Sequence, residues 1–171
     1  MKKALFTLML LFAAGMAANA QRFALIDMEY ILKNIPAYER ANEQLNQSSA
    51  KWQAEVEKIA DEAQTMYRNY QSESVFLSEE QKTQKEEEII AKEKEAAELR
   101  RQYFGPEGEL FKQRESLMRP IQDDIYNAVK EIAEQKGYAV VTDRASAASI
   151  IFASPSIDIS DEVLKRLGYL N

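Results

Sequence analysis

The sequence predicts an α+β protein that is mostly α: a long antiparallel helical hairpin, a coiled-coil arm, projecting from a small β-containing body. Three observations predict it. From about Tyr38 to Tyr70 a heptad register holds with almost no slack, Leu45, Trp52, Ile59 and Met66 alternating with Ser49, Val56, Ala63 and Tyr70. An apolar repeat near 3.5 residues keeps one stripe against a partner helix. No Gly or Pro interrupts the chain between Ala37 and Phe104. What lies outside the arms, 21–36 with 117–171, amounts to roughly 70 residues, a size at which one core seldom suffices. Oligomerisation is the remedy, since the chain has no Cys or His to build a disulfide or a common metal site.

Residues 1–20 read as a signal peptide. Lys2 and Lys3 form a basic start, Ala4 to Ala18 is apolar, and Ala18-Asn19-Ala20 is an A-x-A site for cleavage between Ala20 and Gln21. The run is short for a membrane anchor. Without Cys, a lipid anchor is excluded as well, and a soluble exported bacterial protein is expected. Phe23–Asp27 is a short apolar run suited to a buried strand. Asp27 then caps a brief helix from Met28 to about Asn34, with Tyr30, Ile31 and Ile35 on one side. Pro36 ends it or opens the next helix.

The first arm follows. Its period fails at 71–77, and Ser78-Glu79-Glu80-Gln81 supplies a capping box that starts a second helix. A short break between periodic helices predicts an antiparallel hairpin spanning 37–116, with its tip near 72–78. At 1.5 Å per residue each arm would reach on the order of 50 Å. The second stripe is thinner: Ile89, Ala96 and Tyr103, with Leu99 between them. Helix breakers cluster at Gly105-Pro106-Glu107-Gly108, where a kink, bulge or restart is expected, and Gly105, Pro106 and Gly108 are hinge candidates. Leu110, Phe111, Leu117 and Met118 resume the pattern.

Arg119-Pro120 reads as another boundary, because the residue before Pro is pushed out of the helical region. A helix is then specified from Pro120 to Lys136 by Ile121, Ile125, Ala128, Val129 and Ile132, with Gly137 just past its end. Tyr138–Thr142 and Ser149–Ala153 read as two more strands around the polar turn 143–148, able to pair as a hairpin beside the Phe23 strand. The body is therefore expected to hold three short strands. Pro155 stops the sheet. Ser160-Asp161-Glu162 opens a last helix carrying Val163, Leu164 and Leu167, closed by Gly168.

Chemistry is scarce. With no His and no Cys, the usual general bases, triads and metal ligands are missing, and no phosphate-binding glycine motif occurs. Glu86-Glu87-Glu88 and Asp123-Asp124 read as solvated helix faces, and Trp52 as a seam residue. No catalytic, cofactor or metal residues are assigned, and the chain is not expected to be an enzyme. Downstream of Ala20, 20 basic residues stand against 28 acidic ones, a net charge of −8. That argues against nucleic acid or anionic lipid as the main partner. Binding is better supported: Tyr67, Tyr70, Val75, Phe76, Leu77, Ile90, Tyr103 and Phe104 are candidate contacts for weak, adaptable association. Phe23, Leu25, Ile121, Ile125, Val140, Ile150 and Phe152 are candidates for oligomerisation.

The order strand, long hairpin, helix, strand pair and final helix resembles the Skp/OmpH family of periplasmic chaperones. The residues that carry the resemblance are Pro120-Ile121, Ile132–Tyr138, Thr142-Asp143 and Pro155–Val163 in the C-terminal third, with Phe23–Met28 for the first strand. It covers the whole chain after the leader, with only heptad-like similarity in the arms. It implies a homotrimer whose subunits pool their strands into one β-core, with three hairpins around a central cavity. It also implies an ATP-independent holdase that keeps unfolded outer-membrane β-barrel proteins from aggregating. Familiar members are basic, whereas this chain is acidic, which weighs against lipopolysaccharide or membrane contact. A flexing Gly105–Gly108 break would fit clients of different size. The alternative is a structural or adaptor coiled-coil protein of the envelope that docks on a folded partner; its usual β-rich, glycine-containing flanks are not apparent here.

Overall fold

The computed structural model describes residues 22–146 and 150–170. The leader, the Ala20–Gln21 bond and the start of the Ser149 strand lie outside the described residues. The described residues divide into two compact units, one holding 22–35 and those from Asp123 on, the other Pro36–Gln122.

In the first unit, β1 (Arg22–Ile26) and β2 (Tyr138–Asp143) pair in parallel, with Phe23 opposite Val140 and Ile26 opposite Asp143. Parallel neighbours need a long crossover, and everything from Asp27 to Gly137 supplies it. This corrects the expected hairpin between Tyr138–Thr142 and Ser149–Ala153. Ile150–Ala153 form no strand, and among the described residues the other side of β1 is met only by a bridge from Leu25 to Asp158. The reason lies at the end of β2. The Asp143 carboxylate accepts from the amides of Ala145 (3.2 Å) and Ser146 (3.2 Å), turning the chain, while Arg144 N donates to Ile26 O (2.8 Å) and keeps the chain on β1.

Asp27 caps α1 (Met28–Lys33) by accepting from Tyr30 N, as its position after the strand predicts. The helix that ends this crossover, α4, runs over Glu109–Lys136, and α5 covers Ser160–Arg166. Ile31, Ile125, Ile132, Val163 and Leu164 are fully buried, each worth about 1.5–3 kcal/mol on burial. Ser160 is the one buried polar residue among those described. Its hydroxyl accepts from Asp27 N (2.8 Å) and donates to Asp158 Oδ1 (2.6 Å), so its burial leaves nothing unsatisfied. Arg166 reaches Glu131 (2.9 Å) and Lys136 reaches Glu162 (2.7 Å), fastening α5 to α4. Gly137 takes φ +69, the left-handed conformation that ends α4 without a side-chain clash.

The boundary expected at Arg119-Pro120 is absent, because α4 passes through Pro120. Proline removes one helical hydrogen bond and costs about 3 kcal/mol. Pro120 is exposed, so water can take the freed carbonyl, and Ile121, Ile125 and Ala128 bury on the same helix.

The second unit is the hairpin. Helix α2 (Pro36–Glu73) has 38 residues and spans about 57 Å. Pro36 occupies its first position, a turn of 3-10 helix covers Ser74–Phe76, and α3 runs over Glu79–Phe104. Ser78 and Gln81 form the reciprocal capping box their spacing predicts.

Candidate binding surfaces

The hairpin seam follows the heptad register. All eight first-arm positions, from Leu45 to Tyr70, are buried or half-buried. Ion pairs fix the antiparallel register, with Lys92 3.2 Å from Glu62 and Lys85 3.5 Å from Glu73. Near the open end, Trp52 and Tyr103 stack with ring centres 5.0 Å apart and 12° between planes, and Phe104 meets Tyr103 edge-on at 6.3 Å.

On α3 the seam positions step by three and four through Lys82, Lys85, Ile89, Lys92, Ala96, Leu99 and Tyr103, all buried or half-buried. Three of the seven are lysines. The apolar stripe seen in the sequence missed them because hydrophobicity was the signal; stepping from Ile89 back by four and three, and forward by three, would have found them. The half of the hairpin toward the turn therefore interleaves Lys82, Lys85 and Lys92 with Ile59, Ala63, Met66 and Ile89, while the other half packs rings and aliphatic groups without a seam lysine.

Tyr70 donates to the Glu86 carboxylate, and Tyr103 donates to Glu55 Oε2 at 2.6 Å. Each accepting carboxylate holds its phenol above the usual tyrosine range. Both tyrosines, sequence candidates for partner contact, are thus committed inside the hairpin. Leu77 and Phe104 are half-buried. Tyr67 and Ile90 are exposed, Val75 is 79% exposed and Phe76 87%. The last two are held out by an ordered turn, in which Ser74 Oγ donates to Gln71 O (3.2 Å) and Leu77 N to Ser74 O (3.4 Å).

The glycine-proline cluster is a tight restart. Gly105 N donates to Arg101 O (2.9 Å), Gly108 N to Gly105 O (2.9 Å), and Lys112 N to Gly108 O (3.1 Å). A Cβ on Gly105 would stand 2.4 Å from Arg101 O, and one on Gly108 2.7 Å from Tyr103 O. Both glycines are there for close backbone approach, and alanine at either would disrupt the turn as well as stiffen it.

In the strand-containing unit the oligomerisation candidates separate. Leu25 and Ile125 are buried in the chain's own core, as is Ile121 in the hairpin unit. Phe23 and Val140, partners across the strands, are both exposed; Ile150 is half-buried and Phe152 is 83% exposed. Sequence reasoning passed over Ile151, the most exposed large apolar residue among those described, at 101%. Its place in a β-prone run was the available sign. The segment 150–155 lines a pocket of about 310 Å³ with Leu25, Arg144 and Asp158.

Asp143 anchors this unit's turn. Burial pushes its carboxyl up, but the amides of Met28, Ala145 and Ser146 and the Ser146 hydroxyl outweigh it and hold the group below its ordinary value of 3.8. No group of His, Cys, Asp and Glu suited to a metal ion occurs among the described residues.

The sequence matches the family model described as outer membrane protein (OmpH-like) over residues 22–167. It is 28% identical to the chaperone protein Skp of Yersinia enterocolitica over 157 residues, covering 91% of each chain. With the protein of that name from Photorhabdus luminescens the identity is 26% over 171 residues, covering 95% of this chain and 94% of the other. In fold, it is similar to a crystal structure of an OmpH-like outer membrane chaperone from Caulobacter crescentus CB15. The TM-score is 0.68 at 11% identity, over 87% of this chain and 85% of that one. Together with a parallel strand pair bracketing a long helical hairpin, the family match extends over most of the chain, and the protein belongs to the OmpH-like outer membrane protein family.

Proposed function

We propose that this chain is an ATP-independent periplasmic holdase that binds unfolded outer-membrane β-barrel proteins between its hairpins and keeps them from aggregating. The observation that carries the reading is similarity to proteins named chaperone protein Skp along more than nine-tenths of both chains. Export by cleavage after Ala20 goes with it; among the described residues no helix is long and apolar enough to cross a membrane. The exposed Tyr67, Val75, Phe76 and Ile90 are the proposed client contacts. Side chains on an otherwise polar helix surface favour weak, plural association over one fixed partner.

The working form is a homotrimer. Phe23 and Val140 leave an apolar face on the strand pair, β2 has β1 on one side only among the described residues, and Ile151 and Phe152 stand in solvent. A strand edge and apolar groups left this way in one subunit are what a second copy would cover.

Light scattering on the chain from Gln21 gives the subunit count, with three copies expected. Turbidity of a diluted unfolded β-barrel protein gives the activity, with suppression expected at stoichiometric amounts and without nucleotide. A cooperatively folded monomer that leaves several such proteins to aggregate would overturn the proposal.

A further inference from the structure

The net charge of the hairpin unit is concentrated in the half toward its turn. Between Glu57 and Glu93 ten acidic residues stand against five basic ones, while the rest of Pro36–Gln122 carries eight of each. Three of the five cations are already engaged: Lys82 with Glu79 (2.7 Å), Lys85 with Glu73 (3.5 Å), and Lys92 with Glu62 and Glu95 (3.0 Å). Asp61, Glu80, Glu87, Glu88 and Glu93 are exposed and enter none of the ion pairs among the described residues.

Exposed apolar groups share this half. Four of the five large ones in the unit, Tyr67, Val75, Phe76 and Ile90, lie there, Phe111 being the other. Ile90 has Glu86, Glu87 and Glu93 one helical turn away. An open groove of about 790 Å³ runs along the same stretch, where Ala54 and Met66 adjoin Glu57, Asp61 and Glu62 together with Lys58 and the already paired Lys92. Exposed apolar groups in a stretch with this excess of carboxylates, Ile90 most directly, attract a chain whose own apolar residues stand beside Lys and Arg, and the same field repels anionic lipid.

We infer that the turn-proximal half of the hairpin selects unfolded segments of net positive charge, seating their apolar side chains on Tyr67, Val75, Phe76 and Ile90 while their Lys and Arg meet the surrounding carboxylates. The inference rests on the chaperone reading and adds the class of client.

The test uses the chain from Gln21 and one unfolded β-barrel protein in two versions of equal length and hydropathy, one net positive and one net negative. At low salt the positive version should be held about tenfold more tightly, the gap closing at high salt. Asp61→Asn with Glu80→Gln and Glu87→Gln should cut the gap several-fold. Glu39→Gln with Glu43→Gln and Glu107→Gln, the same charge change outside that half, should leave it. Equal binding of the two versions, or tighter binding of the negative one, would overturn the charge selection and leave the chaperone reading standing. Failure to hold either version would overturn the chaperone reading itself. Preferential attachment to phosphatidylglycerol vesicles would also overturn the inference.

Discussion

Trp52 on α2 and Tyr103 on α3 lie face to face, their rings 5.0 Å apart and 12° from parallel, and the Tyr103 hydroxyl reaches one turn along α2 to Glu55. This stack joins the first arm to the last turn of the second, just before the chain restarts at Gly105–Gly108.

Trp52→Ala should therefore loosen the open end of the hairpin. Trp52 is half-buried, so the cost is expected at about 2–3 kcal/mol, below that of a fully buried aromatic. Tyr103→Phe keeps the stack and removes only the bond to Glu55, so its loss in Tm should be the smaller. Urea and thermal melts of the two variants would check the order.

The lysines at seam positions make a contrast within one hairpin. Lys85→Leu with Lys92→Leu would extend the apolar heptad of α3, so hydrogen exchange should slow over 57–92 and Tm should rise. In the parent protein, high salt should speed exchange in that stretch while leaving the segment around Trp52, Val56 and Ala96 unchanged. Uniform salt dependence along both helices would contradict this division.

Gly105→Ala and Gly108→Ala should each lower stability by about 1–3 kcal/mol, since the added methyl meets backbone that cannot yield as a side chain could. Gly137→Ala has open space around the new Cβ and should cost only the strain of a left-handed alanine, about 1 kcal/mol. Denaturant midpoints would separate the two mechanisms. A neutral Gly108→Ala would remove the argument from close approach.

Asp143 ties folding to acid pH. Its folded carboxyl releases the proton more readily than the unfolded one, so the stability it adds is fully present above its ordinary value of 3.8 and is lost as pH falls through the lower folded value. Asp143→Asn keeps the Oδ1 acceptor and removes the titration, so its stability should fall less steeply than the parent's as pH drops below the ordinary value of 3.8. Parallel curves would show that Asp143 contributes nothing to the acid limb.

By itself the sequence determined what depends on short-range physics. The heptad of α2, the Ser78–Gln81 cap, the Asp27 cap, the end of α4 at Gly137 and the crowding of breakers at 105–108 each follow from neighbours a few residues apart. Tertiary structure alone decided which strands pair, since β1 and β2 are separated by the whole hairpin and no local pattern records a parallel partner. It also decided that Pro120 is tolerated, because the burial of Ile121 and Ile125 outweighs one lost hydrogen bond. Finally, it divided the apolar residues into those packed against neighbouring elements, such as Ile125 and Tyr103, and those left exposed, such as Phe76 and Ile151. Both kinds look alike in a sequence, and burial is a property of what folds against them.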